Sequence, residues 1–376
     1  MTSPISWRRT RFARCLLPLV LASLPACGGS GEPASTEAKG PLVVGFIYIG
    51  ARADFGYNQA HALGAEAVKK MPGVLVKEEE TVPDTMDVQK TMKSMIELNK
   101  ASVIFPTSFG YYDPHVLRMA NLYPNVKFIH CGGLWDAKQH PNNIGTYFGF
   151  IDECQYLSGI VAAHATKTKK LGFVAGKAIP QVRRNINAFT MGARSIDPAI
   201  TCTVIFTGDW SLSVKEAEST LNLIDQGVDV LTCHVNSPKV VIELAERRGI
   251  YTCGYHADQS SLAPKKYLTG AEWNWEKVYT DYVNMIRGGQ WTPGLIRGGL
   301  KEGFVKMSPY GAEATPDARK AADAVKAKLM DGSFLIFKGP LKDNAGRIVI
   351  AEGTALPQTA TELEKMDYLV EGVIGR

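Results

Sequence analysis

The sequence predicts an α/β protein made of two doubly wound parallel sheets. From residue 42 onward, short apolar runs alternate with amphipathic helical stretches. Strands that are apolar on both faces belong to parallel sheets covered by helices on each side. The alternation begins afresh after residue 150, which gives two successive βαβ arrays. A chain of 376 residues is long enough for each array to bury its own core.

The elements follow in order. Residues 42–49 read as a strand, followed by a loop and a helix through about residue 70, then a strand at 74–82. Val88, Met92, Met95 and Ile96 share one helical face, so 86–99 is an amphipathic helix. Residues 103–106 form a strand, 113–123 a helix and 126–130 a strand. The second array opens with a helix at 152–166, where Gly159, Ala162, Ala163 and Ala165 permit close packing. A strand at 171–175, a helix at 181–195 and a strand at 201–206 come next. Ser213-Val214-Lys215-Glu216 reads as a capping box, with Val214, Ala217, Leu221 and Ile224 as the stripe of the helix it starts. A strand at 228–233 leads to Ser237-Pro238, read as an N-cap with Pro at the first helical position. Strands at 250–255 and 267–271 follow. From about 310 come a helix carrying Ala321, Ala322, Val325 and Leu329, and a hairpin-like stretch at 335–350.

The formal charge of +5 invites a nucleic-acid partner, but its location removes that reading. Arg8, Arg9, Arg11 and Arg14 precede a short apolar run at 16–24, the pattern of an export signal too short to span a bilayer. Residues 1–26 hold those four Arg and no acid, so their removal from +5 leaves +1. Leu24-Pro25-Ala26-Cys27 resembles a bacterial lipobox, with Cys27 as the lipidated residue. Residues 27–40 then read as a flexible tether rich in Gly, Ser, Pro and Glu. An acylated Cys27 would hold the protein at a membrane, on the periplasmic or outer side. Of seven Cys, five remain beyond residue 27, an odd number without CxxC spacing, which argues for buried free thiols rather than a zinc site.

Doubly wound sheets bind ligands beyond the carboxyl ends of their strands. Those ends carry Asp54-Phe55-Gly56-Tyr57-Asn58, Thr107-Ser108-Phe109, Gly208-Asp209-Trp210, His234-Val235-Asn236-Ser237, His256-Ala257-Asp258-Gln259 and Glu272-Trp273-Asn274-Trp275. Tyr57, Phe109, Trp210, Trp273 and Trp275 concentrate aromatic faces where a ligand would lie, with amides and carboxylates interspersed. That mixture suits a flat heteroaromatic molecule, since stacking of a base on an aromatic side chain contributes about 1–3 kcal/mol. Candidate ligand-binding residues are Tyr57, Asn58, Ser108, Phe109, Trp210, Asn236, His256, Asp258, Glu272 and Trp273.

Catalytic and cofactor motifs are weak. Gly172 to Ala178 approaches a P-loop but has three residues between its glycines and Ala178 in place of the magnesium-binding hydroxyl. No GxGxxG follows the first strand and no GxSxG elbow is present. Asp152, Glu153, Cys154 and His164 lack any recognised metal spacing and read as a helix start with favourable acids. No cofactor or metal is expected.

The lipobox, the Asp54…Gly56-Tyr57-Asn58 loop, Phe150…Glu153…Leu157-Ser158-Gly159, Gly208-Asp209-Trp210, His256-Ala257-Asp258-Gln259 and Gly299-Leu300-Lys301-Glu302-Gly303 together resemble the basic membrane protein family. These are substrate-binding lipoproteins of ABC importers, and the resemblance covers about 42–340. It implies a type I periplasmic-binding fold, with two lobes joined by three crossing strands. On that basis 41–150 plus 258–292 are expected in lobe 1, and 151–257 plus 293–376 in lobe 2. The family includes purine nucleoside receptors. The resemblance places Tyr57 and Trp210 on the two faces of the base, Asn58 at its edge and Asp258 at the ribose. His256 stands where such receptors carry a first acid, and Glu272-Trp273-Asn274-Trp275 where they carry a lysine. Two lost ribose-directed groups and added indoles imply a free purine base, adenine-like, ahead of a nucleoside. The expected partners are that purine and an ABC permease, with the protein a monomer that is not an enzyme. A purine nucleoside hydrolase using His256 and Asp258, or a sensor reporting to a membrane receptor, are the alternative readings.

Overall fold

The computed structural model describes residues 40–375. The export signal, Cys27 and nearly all of the tether lie outside them. Lobe 1 begins with β1 (Leu42–Ile47), α1 (Tyr57–Lys69), β2 (Val74–Glu79), α2 (Met86–Glu97), β3 (Val103–Pro106), α3 (Leu117–Leu122), β4 (Lys127–Cys131) and β5 (Ile144–Gly149). Lobe 2 follows with α4 (Asp152–Ala165), β6 (Lys170–Ala175), α5 (Pro180–Arg194), β7 (Thr201–Phe206), α6 (Ser213–Asp225), β8 (Val230–His234), α7 (Lys239–Arg247), β9 (Tyr251–His256) and β10 (Tyr267–Trp273). The chain returns to lobe 1 for α8 (Trp275–Arg287) and β11 (Gly294–Gly298). It ends in lobe 2 with β12 (Val305–Met307), α9 (Pro316–Asp331), β13 (Leu341–Lys342), β14 (Ile348–Ile350) and β15 (Val373–Ile374).

The first sheet has the order β11-β5-β4-β3-β1-β2, all parallel. The second has the order β12-β10-β9-β8-β6-β7-β15, parallel except for β12. The chain passes between the sheets after β5, after β10 and between β11 and β12, so three connections form the hinge.

The boundaries drawn on the sequence shift. The strand at 267–273, placed in lobe 1 by the sequence reading, pairs with β9 in the second sheet. Gly294–Gly298, placed in lobe 2, pairs with β5 in the first. The second stay in lobe 1 therefore covers about 274–298 rather than 258–292, because β10 is long and apolar and buries best between β9 and β12.

Local chemistry explains other departures. The helix expected over 113–123 is regular only at α3, because Asp113 (φ −116°, ψ 123°) precedes Pro114 and is driven out of the α region. The capping box expected at 213–216 does not form: the helix begins one residue early, Glu216 Oε1 accepts from Leu212 N at 3.0 Å, and Ser213 makes no capping bond. Ser237 does not cap α7, since its hydroxyl is used elsewhere. The close packing anticipated at Gly159 is present: a Cβ there would lie 2.0 Å from Phe189 O of α5. All five cysteines among the described residues are buried and free. No helix among those residues is long and apolar enough to cross a membrane.

Candidate ligand-binding cleft

Loops from the carboxyl ends of both sheets meet across the cleft. Tyr57 N donates to Asn236 O at 2.9 Å, Ser237 Oγ to Asp54 O at 2.7 Å and Gln259 Nε2 to Phe55 O at 2.6 Å. Gly56 is required at this contact, since a Cβ would stand 2.0 Å from Asn236 O. Phe55 (φ 56°) and His256 (φ 77°) adopt left-handed backbone, strain that an ordered functional site can hold.

Asp54 organises the lobe 1 side. Its carboxylate accepts from the backbone N–H groups of Gly56, Asn58 and Gln59 at 2.8–3.0 Å, satisfying the open donors at the start of α1. Asn58 belongs to this loop: Nδ2 donates to Asp54 at 2.8 Å and Oδ1 accepts from Gly50 N at 3.2 Å. Tyr57 donates from its hydroxyl to Thr107 O at 2.6 Å, which fixes its ring.

That ring is one member of a belt spanning both lobes. Tyr57 meets His61 at 4.6 Å and His256 at 5.5 Å between ring centroids, both edge-on. His256 lies 4.0 Å from Tyr255 and 5.8 Å from His234, which neighbours Trp210 at 5.9 Å. Trp273 stacks on Trp275 at 4.7 Å, and Trp275 on His61 at 5.7 Å.

Hydrogen bonds assign the imidazoles. Trp273 Nε1 donates to His256 Nδ1 at 2.8 Å, so Nε2 carries the hydrogen and donates to Val235 O at 3.1 Å. Asn185 Nδ2 donates to His234 Nδ1 at 3.0 Å. His130 bonds Ser108 O through Nε2 at 2.7 Å and accepts from Gly133 N at 3.1 Å. Burial lowers His61 and His234 to about 3 and His130 to about 4, and it also holds His256 well below its ordinary value. The belt is therefore uncharged at neutral pH.

Of the residues singled out in the sequence, Tyr57, Trp210, Asn236, His256 and Trp273 come together. Asn236 N donates to Trp210 O at 2.8 Å, so its backbone links Trp210 to Tyr57. Ser108 is buried behind them against His130. Asp258 Oδ1 accepts from Ser260 N at 2.8 Å, closing a local turn. Glu272 alternates away from Trp273 and faces Lys306 at 3.6 Å, its pKa raised by burial. Phe109 is 71% exposed and lies outside the belt against Gly132. His61, Tyr147, Asn185, His234, Tyr255 and Tyr279 were not singled out. His61 follows Tyr57 by one turn of α1 and Tyr279 follows Trp275 by one turn of α8, a spacing from which both could be found.

A model of the family described as ABC transporter substrate-binding protein PnrA-like, named Bmp, matches residues 42–343. The chain belongs to that family. Its members bind substrates for ABC transporters, as the two-lobed fold suggests. A purine-binding protein of Brucella abortus is 33% identical over 345 residues, covering 91% of this chain and 95% of that one. An uncharacterized lipoprotein of Pyrococcus abyssi is 28% identical, covering 79% of this chain and 76% of the relative. The solute-binding protein structure from Conexibacter woesei has a TM-score of 0.66 at 21% identity, covering 78% of this chain and 97% of that one, and supports the fold.

Proposed function

We propose that this family member captures a purine in the cleft, favouring a free adenine-like nucleobase over a nucleoside, and delivers it to a membrane permease. The single observation that carries the nucleobase reading is the bond from Trp273 Nε1 to His256 Nδ1. The two positions at which the sequence departs from nucleoside receptors are bonded to each other, which uses polar atoms a ribose would need and fills the space beside them. The uncharged aromatic belt supports a flat neutral ligand, and the Brucella relative's name supports the purine class. The lipobox at Cys27 and the lipoprotein relative support an exported, membrane-anchored protein.

The mechanism is capture by closure. A ligand that touches both lobes only when they meet stabilises the closed form by its differential affinity. The bonds at both His256 nitrogens and at Asp258 Oδ1 favour the binding reading over the hydrolase alternative. Mass spectrometry of small molecules retained on purification tests the proposal. A purine base released on denaturation is the expected result, and a sugar or amino acid in its place would overturn it.

A further inference from the structure

Three buried side chains beside the cleft, His61, Asn185 and Trp275, each carry an unmatched polar atom, and His61 alone of them is joined to a chain of hydroxyls that can reverse. His61 is fully buried between Tyr57 and the α8 aromatics. Its Nδ1 is bonded to Tyr279 Oη at 2.5 Å, and Tyr279 Oη to Tyr147 Oη at 2.6 Å. Tyr147 in turn lies against the Cys131 thiol. All three residues are fully buried and come from three elements, α1, α8 and β5. His61 Nε2 has no partner among the described residues. Native interiors rarely leave such an atom unmatched, so it points to a ligand contact.

The chain of groups has two complete settings. In one, Tyr147 donates to Tyr279 and Tyr279 to His61 Nδ1, so Nε2 carries the hydrogen. In the other, His61 Nδ1 donates to Tyr279 and Tyr279 to Tyr147, so Nε2 presents a lone pair. Phenol hydrogens rotate and neutral imidazole has two tautomers, so both settings keep every internal bond. We infer that His61, Tyr279 and Tyr147 form a reversible hydrogen-bond relay that reads one polar atom of the bound purine through His61 Nε2, whether that atom donates or accepts. The inference rests on the purine reading above. His61 is the contact residue, and the two tyrosines are positioning residues that act through it.

Adenine and hypoxanthine carry opposite donor and acceptor roles at positions 1 and 6, and they are the probes. Wild-type protein is expected to bind both, with affinities within about tenfold of each other. Tyr279→Phe leaves Nδ1 without a partner, and a buried unpaired N–H is less tolerated than an unpaired acceptor. Tyr147→Phe leaves the Tyr279 hydrogen only Nδ1 to bond. Both variants therefore fix Nε2 as a donor, and both should weaken the same one of the two bases at least tenfold while sparing the other. Equal losses for both bases would overturn the relay and leave the purine reading standing. Failure of wild-type protein to bind either base would overturn the reading itself. Nitrogen-15 NMR of wild-type His61 gives a second test without substitution. Opposite tautomers in the two complexes are expected, and one tautomer in both would overturn the relay.

Discussion

At the residue scale, a few side chains have roles that separate cleanly. Trp210 is half-buried, has His234 on one side and the Lys177 ammonium 5.9 Å over its ring. Trp210→Ala should weaken purine binding at least tenfold, about 1.4 kcal/mol and within the range of base stacking. An unchanged dissociation constant would remove Trp210 from the site. Asp258→Ala removes the bond to Ser260 N and should lower unfolding free energy by about 1 kcal/mol in denaturant titration, with Asp258→Asn retaining most of it. The buried histidines make a pH prediction. In the unfolded chain each binds a proton near its ordinary value of about 6.5, whereas His61, His130 and His234 when folded bind one only near 3–4. The unfolded state thus holds more protons between those limits, and stability should fall as pH drops from about 6.5 toward 4. Glu153, pushed up to about 7 by burial, opposes this, as do Asp54, Glu216 and Glu272, which burial also raises, but less than burial lowers the histidines. A melting temperature at pH 4.5 equal to or above that at pH 7 would contradict the assignment.

At the element scale, the C-terminal segment acquires a role that its sequence does not announce. Arg184 on α5 is buried between Asp152 of α4 at 3.0 Å and Gln358, whose carbonyl and side-chain oxygens accept from Nη2 at 3.1 and 2.7 Å. Gln358 also donates to Asp152 and Glu153, while Glu153 Oε2 accepts from Leu300 N at 2.7 Å in the hinge loop. This network ties the chain end to the hinge. Arg184→Leu strands the buried Asp152 carboxylate and should cost about 3–5 kcal/mol by chemical denaturation, the usual penalty for breaking a buried pair. Little of this was legible, since a network joining residues some 170–200 positions apart has no local pattern. Periodicity did locate α2, α5, α7 and most parallel strands, because an apolar stripe or run is itself local. It missed α8, and also β5 and β11, which begin or end in glycine and lack a continuous β-branched run, and β12, which is too short to show one.

At the scale of the whole molecule, strand ends could be searched without coordinates because the doubly wound pattern says where ligands lie. That rule pointed to the strand ends that carry Tyr57, Trp210, His256 and Trp273, whereas partners reached through tertiary packing, such as Tyr147 and Asn185, stayed hidden. It also could not tell that Asn58 and Asp258 secure their own loops. Closure supplies a further prediction. Gly56→Ala would collide with Asn236 O, so it should weaken ligand binding at least tenfold while sparing the fold of each lobe. In small-angle scattering the variant should fail to contract on adding adenine. Titration calorimetry with adenine, hypoxanthine, guanine and their nucleosides decides whether the cleft takes a free purine base. Tight binding of a nucleobase and weaker binding of the matching nucleoside are expected, and tight nucleoside binding with no nucleobase binding would contradict a nucleobase cleft.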